Sequence, residues 1–248
     1  MNKYLKIFKT CRSSAGFTLI ELLVAMALTT IVVSLTGFGL VAMMNNNKTS
    51  EAKTQRRIEL SRASDFIMDE IRMASKINTT DNTTTTASAA VTASNTATPF
   101  SPALGSTGTI VLYLEIPITG TIPATCPAGG PNPGSAPPSP STYDRVIYDI
   151  RSNTSTWLPP RVINRYGRIP GNDGTINPCS SPQASEALVD SISDSNINPT
   201  CNSPAVLSGA GGFYACVNGR LVELYLRSKV TDTENYNLSS KGFSRTAP

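Results

Sequence analysis

Histidine is absent from all 248 residues. That removes Ser-His-Asp and Cys-His catalysis, and every metal site that needs an imidazole. A carboxylate pair or a nucleophilic lysine stays open. No nucleophile elbow or Gly-rich phosphate loop accompanies either, so an enzyme with a cofactor is not expected. Charge is also sparse, at 15% of residues, while glycine (17) and proline (18) are frequent. With 40% apolar residues the chain has material for a core, in one or two domains. That balance favours a loop-rich, β-containing body over a helical bundle.

The net charge of +4 is local. Lys3, Lys6, Lys9 and Arg12 stand in the first sixteen residues, with no acid beside them. Setting those four aside leaves seventeen bases against seventeen acids. A neutral body has no general attraction for nucleic acid, and none is expected as a partner. Arg161, Arg165 and Arg168 form the one loose basic cluster in the middle of the chain, where a DNA-binding surface would be sought.

Cys11 falls in the basic leader, and Cys126, Cys179, Cys201 and Cys216 lie downstream. An even set beyond an apolar segment suits disulfides in an oxidising compartment. Four cysteines allow three pairings. Cys201–Cys216 is the nearest pair and the preferred bridge; Cys126–Cys179 would then tie two loops together. Four buried free thiols are the alternative. No CxxC knuckle is present, so zinc is not expected. The acidic turn at 171–174, with Asp190 and Asp194, lacks the spaced carboxylates of a calcium loop, so no metal is expected there either.

Residues 17–44 carry one ionisable group, Glu21. As a helix this run of 28 residues is about 42 Å long, more than a bilayer core requires. The small residues Ser13-Ser14-Ala15-Gly16 come before the apolar run rather than after it, unlike a secretory signal. Cleavage there leaves the apolar helix on the mature chain. A carboxylate near the start of a membrane helix is a functional residue by default. Thr29, Thr30, Ser34, Thr36, Gly37 and Gly39 place small and polar groups mid-helix, either for close packing or as a site where the helix loosens.

The run Gly16-Phe17-Thr18-Leu19-Ile20-Glu21-Leu22-Leu23-Val24 resembles the signature of type IV prepilins and type II secretion pseudopilins. The resemblance implies cleavage between Gly16 and Phe17 by an inner-membrane prepilin peptidase, and N-methylation of Phe17. Thr18 becomes the second mature residue. Glu21, the fifth, guides docking into a growing filament by pairing with an N-terminal amine. Other pilin or pseudopilin subunits and an inner-membrane assembly platform are the implied partners. The implied location is single-pass in a bacterial inner membrane, N-terminus cytoplasmic and body periplasmic, then a pilus or the cell surface.

Beyond the span, Leu60, Ala63, Ile67, Ile71 and Ala74 recur at steps of three and four. This predicts an amphipathic helix over 45–77, widened by Phe66 and Ile77, with Arg57, Glu59, Asp69, Glu70 and Arg72 as a solvated face. Residues 78–108, rich in Thr, Ser, Ala and Asn, predict an exposed loop. Strands are expected at 110–116, at 143–150, and at 157–158 with 161–166, the last an edge strand broken by Pro159-Pro160. The seven prolines of 123–141 predict an extended exposed loop. Residues 213–217 and 220–226 predict a hairpin with a type I′ turn at Asn218-Gly219. The polar tail, 236–248, is expected to close along the sheet or fray.

The expected fold is therefore α+β and pilin-like: a long N-terminal helix packed on a C-terminal antiparallel sheet with long loops. The expected segments are a leader (1–16), a membrane or filament-core helix (17–44), a stalk helix (45–77), a loop (78–108) and a β-rich globular domain (109–248). The mature 232 residues, expanded in loops, suggest a minor pilin, a low-abundance or tip subunit, PilW-like. The alternatives are a pseudopilin of a type II-like or polysaccharide secretion system, and a tip adhesin or DNA-uptake pilin.

Overall fold

The computed structural model describes residues 16–79, 83–100, 104, 108–153, 156–171 and 173–244. The leader to residue 15, with Cys11, lies outside the described residues. The chain divides into two compact units, Met1–Ser50 and Glu51–Pro248.

In the first unit, α1 (Leu19–Met73) begins its course, and every residue from 16 to 48 is exposed. The helix is long and apolar enough to cross a membrane. Its mid-helix hydroxyls do not break it. Thr30, Ser34 and Thr36 donate to carbonyls four residues back, at 2.8, 2.8 and 2.9 Å, so each polar group is satisfied inside the helix.

In the second unit, α1 presents Leu60, Ala63, Ile67, Met68 and Ile71 to the core, all 4% exposed or less. Leu60, Ala63, Ile67 and Ile71 are the expected stripe; Met68 joins it, and Ala74 is buried just beyond the helix end. Phe66 does not widen it and stays 37% exposed. The helix also stops short of residue 77. Ser75 donates its amide to the Glu115 carbonyl at 2.7 Å, and β1 (Lys76–Ile77) pairs with the next strand. Ile77 is buried, but from that strand.

Residues 78–108 are not one loop, because α2 (Ala87–Ala97) lies within them. Thr86 caps it, its hydroxyl accepting from the Ala89 amide at 3.3 Å. Alanine has the highest helix propensity, and Ala90 and Val91 pack with Phe100, Tyr113, Ile147 and Tyr166. A helix thus forms where composition suggested none.

The sheet comprises β2 (Thr109–Pro117), β3 (Tyr143–Ser152), β4 (Arg161–Gly167), β5 (Gln183–Ile192), β6 (Val206–Ala210), β7 (Phe213–Asn218), β8 (Leu221–Lys229) and β9 (Asn235–Phe243). The order is β1-β2-β3-β4-β5-β8-β7-β6, with β9 pairing along β8, and each pairing is antiparallel. Strand alternation sends Val146, Tyr148 and Ile150 into the α1 core, and Ile147 into the α2 core.

Three expectations about the sheet are corrected. First, β4 is not an edge strand, since β3 and β5 flank it. Pro159-Pro160 precede its first residue, so no ladder amide is lost. Trp157 and Leu158 lie outside any strand and are exposed. Second, the hairpin turn is Gly219-Arg220, because Asn218 opposes Leu221. Only Gly219 has positive φ (56°), whereas type I′ needs it at both central positions; glycine at the first fits type II′. Third, β5 and β6 were not foreseen. The tail does pair, as β9 on β8.

Ile67, fully buried between helix and sheet, tests this packing. Ile67→Ala is expected to lower stability of the second unit by about 2–5 kcal/mol in denaturant unfolding. A change under about 0.5 kcal/mol would contradict the packing.

Candidate functional site

The N-terminal constellation is built around the start of α1. Gly16, Phe17 and Thr18 precede the helix, and Phe17 is 81% exposed. Thr18 is the cap: its carbonyl accepts from Glu21 and Leu22 amides at 3.1 and 3.2 Å, and its hydroxyl from the Glu21 amide at 3.4 Å. Thr18 and Glu21 are therefore spaced as a capping box, a Ser/Thr-x-x-Glu pattern legible in the sequence but not recognised there. The Glu21 carboxylate stands in the first turn, where the helix dipole favours an anion. No side-chain partner meets that carboxylate among the described residues.

The family described as the prokaryotic N-terminal methylation motif matches residues 11–37. The N-terminal segment of the chain is thus similar to that of type IV pilin-like proteins. No curated protein and no solved structure matches the chain. The match spans the leader's end and three quarters of the apolar run; it does not reach the body.

In the body of the chain, four cysteines form two bridges. Cys126 is bonded to Cys179 and Cys201 to Cys216, with Cα separations of 5.7 and 5.6 Å. The first joins the Pro-rich segment to the loop before β5, and the second joins the loop before β6 to β7. The Pro-rich segment is pinned rather than simply extended. Arg168, fully buried, donates to the Pro138, Pro140 and Ser180 carbonyls and to the Asp144 carboxylate, all within 3.0 Å. Burial pushes the Asp144 carboxyl up, and the Arg168 charge opposes that shift.

The basic cluster Arg161, Arg165 and Arg168 is thereby dissolved as a surface. Arg165 is 5% exposed and Arg168 fully buried, while Arg161 is half-buried. The two buried arginines answer carboxylates within the fold and offer nothing to a phosphate backbone. The acidic turn is equally committed: Asp173 accepts from the Thr175 amide and hydroxyl at 3.0 and 2.8 Å.

Glu70, expected on the solvated face, is 2% exposed. It accepts from Arg165 through Nη2 and Nε, at 2.6 and 3.0 Å to Oε1, and from the Tyr148 hydroxyl. The Arg165 Nη2 also reaches the Arg168 carbonyl at 2.9 Å. Burial works against the Arg165 charge, but the Glu70 carboxylate outweighs it and raises its pKa. Burial, then the Glu70 charge, pushes the Tyr148 phenol well up. On the α2 face, Arg145 lies 4.0 Å over the Phe100 ring and donates to the Thr98 and Pro99 carbonyls, closing the end of α2. These groups hold elements together.

Two outcomes check this network. Glu70→Ala is expected to cost about 3–5 kcal/mol, and Glu70→Leu with Arg165→Met clearly less, because removing both charges leaves none stranded. Equal losses would contradict the pairing. Tyr113 and Tyr148, both raised by burial, have folded pKa values above the unfolded value of about 10. Their stabilising contribution is full below that pH and is lost as pH rises through the folded values. In an alkaline absorbance titration they should ionise only as the fold opens. Smooth ionisation of every tyrosine before unfolding would contradict their burial.

Proposed function

We propose that the chain is a structural subunit, a minor pilin, of a type IV pilus or pilus-like filament. One observation carries this reading: the methylation motif at 11–37 runs directly into an exposed apolar helix that starts at Leu19. Prepilin peptidase cuts after Gly16, and Phe17 becomes the methylated N-terminus. Residues 17–44 hold the chain in the inner membrane, body outward, until the assembly platform passes it into the filament. There the apolar helix is covered by those of other subunits.

Glu21 acts in that transfer. Cleavage places a new α-amine four residues before its carboxylate. Pairing with the amine of a neighbouring subunit offsets the cost of burying both charges, and a subunit in the wrong register leaves both unpaired. The two disulfides support a body outside the reducing cytoplasm. The looped, expanded body favours a minor or tip position, because loops of this kind crowd a uniformly packed shaft. A DNA-uptake role loses its main sequence support with Arg165 and Arg168 buried.

Glu21→Ala tests the reading. The variant should be processed at Gly16 as the parent is, yet be missing from sheared filaments on immunoblot. Incorporation at the parental level would overturn the docking role.

A further inference from the structure

β9 lies at an edge of the sheet, paired with β8 and with no other strand. It has nine residues, so its free side is about 30 Å long. The other open margins are blunted. β1 has two residues; β6 has five and meets α2, its Ser208 hydroxyl accepting from the Ala87 amide at 3.1 Å. β5 joins β8 only at Ile192 and is irregular in register against β4. Natural edges are guarded by proline, bulges or outward lysine. Residues 235–243 contain no proline, and the β8–β9 register runs without a shift. Their one lysine, Lys241, is turned back onto Glu223 at 2.7 Å.

The ladder shows which backbone groups of β9 are free. The Arg227 amide donates to the Gly212 carbonyl at 2.7 Å, and its carbonyl accepts from the Ser193 amide at 2.9 Å. Odd-numbered residues of β8 therefore point their backbone groups away from β9, and even-numbered ones towards it. Val222 opposes Gly242 and Leu224 opposes Ser240, so the even residues of β9 complete this ladder. The amides and carbonyls of Asn237, Ser239 and Lys241 face outward and meet no backbone partner among the described residues. Alternate free donors and acceptors on a straight edge fit an extended backbone.

The strand is also held stiffly, in one direction. Glu234 meets Lys53 at 2.8 Å, the Ser240 and Ser64 hydroxyls meet at 2.8 Å, and the Ser244 hydroxyl donates to the Ala74 carbonyl. These contacts climb α1 and β9 together, so β9 runs parallel to this part of α1. Antiparallel pairing of two β9 strands would set two α1 helices in opposite directions, whereas chains inserted in one membrane share one orientation. A second copy is therefore not the occupant.

The geometry points to β9 as an acceptor for an extended strand of a different protein, added antiparallel along residues 235–243. An apolar residue of that strand lies beside Phe243, which is 63% exposed, and an acidic or polar one beside Lys241. The body thereby holds a second protein through its backbone, with no part for the apolar run of α1. Only the exclusion of a second copy rests on the filament reading.

A labelled peptide of the β8 sequence, residues 221–229, tests it by fluorescence anisotropy with the full chain in detergent micelles. Antiparallel to β9, this peptide sets a leucine against Phe243 and a glutamate against Lys241. The parent chain should bind it. N-methylation of the peptide at Glu223 and Tyr225, whose amides face β9, should weaken binding at least about tenfold; at Leu224 and Leu226 it should leave binding within about threefold. Ser239→Pro removes an outward amide that no ladder bond uses, so the chain should keep its unfolding midpoint and lose the peptide. The methylation pattern decides with the parent chain alone, whatever the stability of that variant. No binding, equal weakening by both methylation patterns, or undiminished binding to a folded Ser239→Pro chain would each overturn the proposal. So would self-association of the parent that Ser239→Pro abolishes, since the edge would then serve a second copy. Peptide binding needs no filament, and Glu21→Ala incorporation needs no peptide, so the two readings fail separately.

Discussion

Glu70 sits on the buried side of α1 and Arg165 on the facing side of β4, 2.6 Å apart and out of water. Neither charge tolerates that position alone, so the helix has one rotation and one height at which it can lie on the sheet. Apolar packing is less exacting: Leu60, Ala63, Ile67 and Ile71 would meet an apolar sheet face at several offsets. The ion pair selects among them, and Tyr148 on β3 makes the choice depend on a second strand. Arg168 then carries the constraint outward. Its carbonyl is held by Arg165, and its guanidinium gathers Asp144 and the Pro-rich segment that Cys126–Cys179 also ties. A chain of polar contacts thus runs from the stalk helix to the longest loop.

Some of this was legible beforehand and some was not, for definite reasons. Periodicity revealed the buried stripe of α1, because apolar positions at steps of three and four admit one arrangement. The final hairpin was readable from its alternation, and Val222, Leu224 and Leu226 do face the core. Its turn type was misread because Asn-Gly suggests type I′, while the register moves the turn one residue on. β5 and β6 escaped because Gln-Ala-Ser-Glu-Ala and Val-Leu-Ser-Gly-Ala have no strand alternation; neighbouring strands create them. α2 escaped because Thr, Ser and Ala suggest a loop, though Thr86 before an alanine-rich run was a capping signal. Glu70 and Arg165 looked like surface charge. The available hint was that Glu70 lies three residues from Ile67, on the buried row.

At the N-terminus the division of labour is cleaner. Gly16 and Phe17 stay outside the helix and exposed, while Thr18 caps it and places Glu21 in the first turn. The first unit carries a long exposed apolar helix and a carboxylate that meets no side-chain partner among the described residues, features that suit a membrane or neighbouring helices better than water. The body has the opposite character, with its buried charges answered inside the fold and its loops bridged. The chain thus carries both a segment that matches the N-terminal methylation motif, over residues 11–37, and a self-contained domain.

The mass of the mature N-terminal peptide, taken from the chain recovered in membranes and sheared filaments, tests this account most directly. The account predicts a peptide beginning at Phe17, heavier by one methyl group, with residues 1–16 gone. An intact leader in both fractions, or a terminus beyond residue 44, would contradict it.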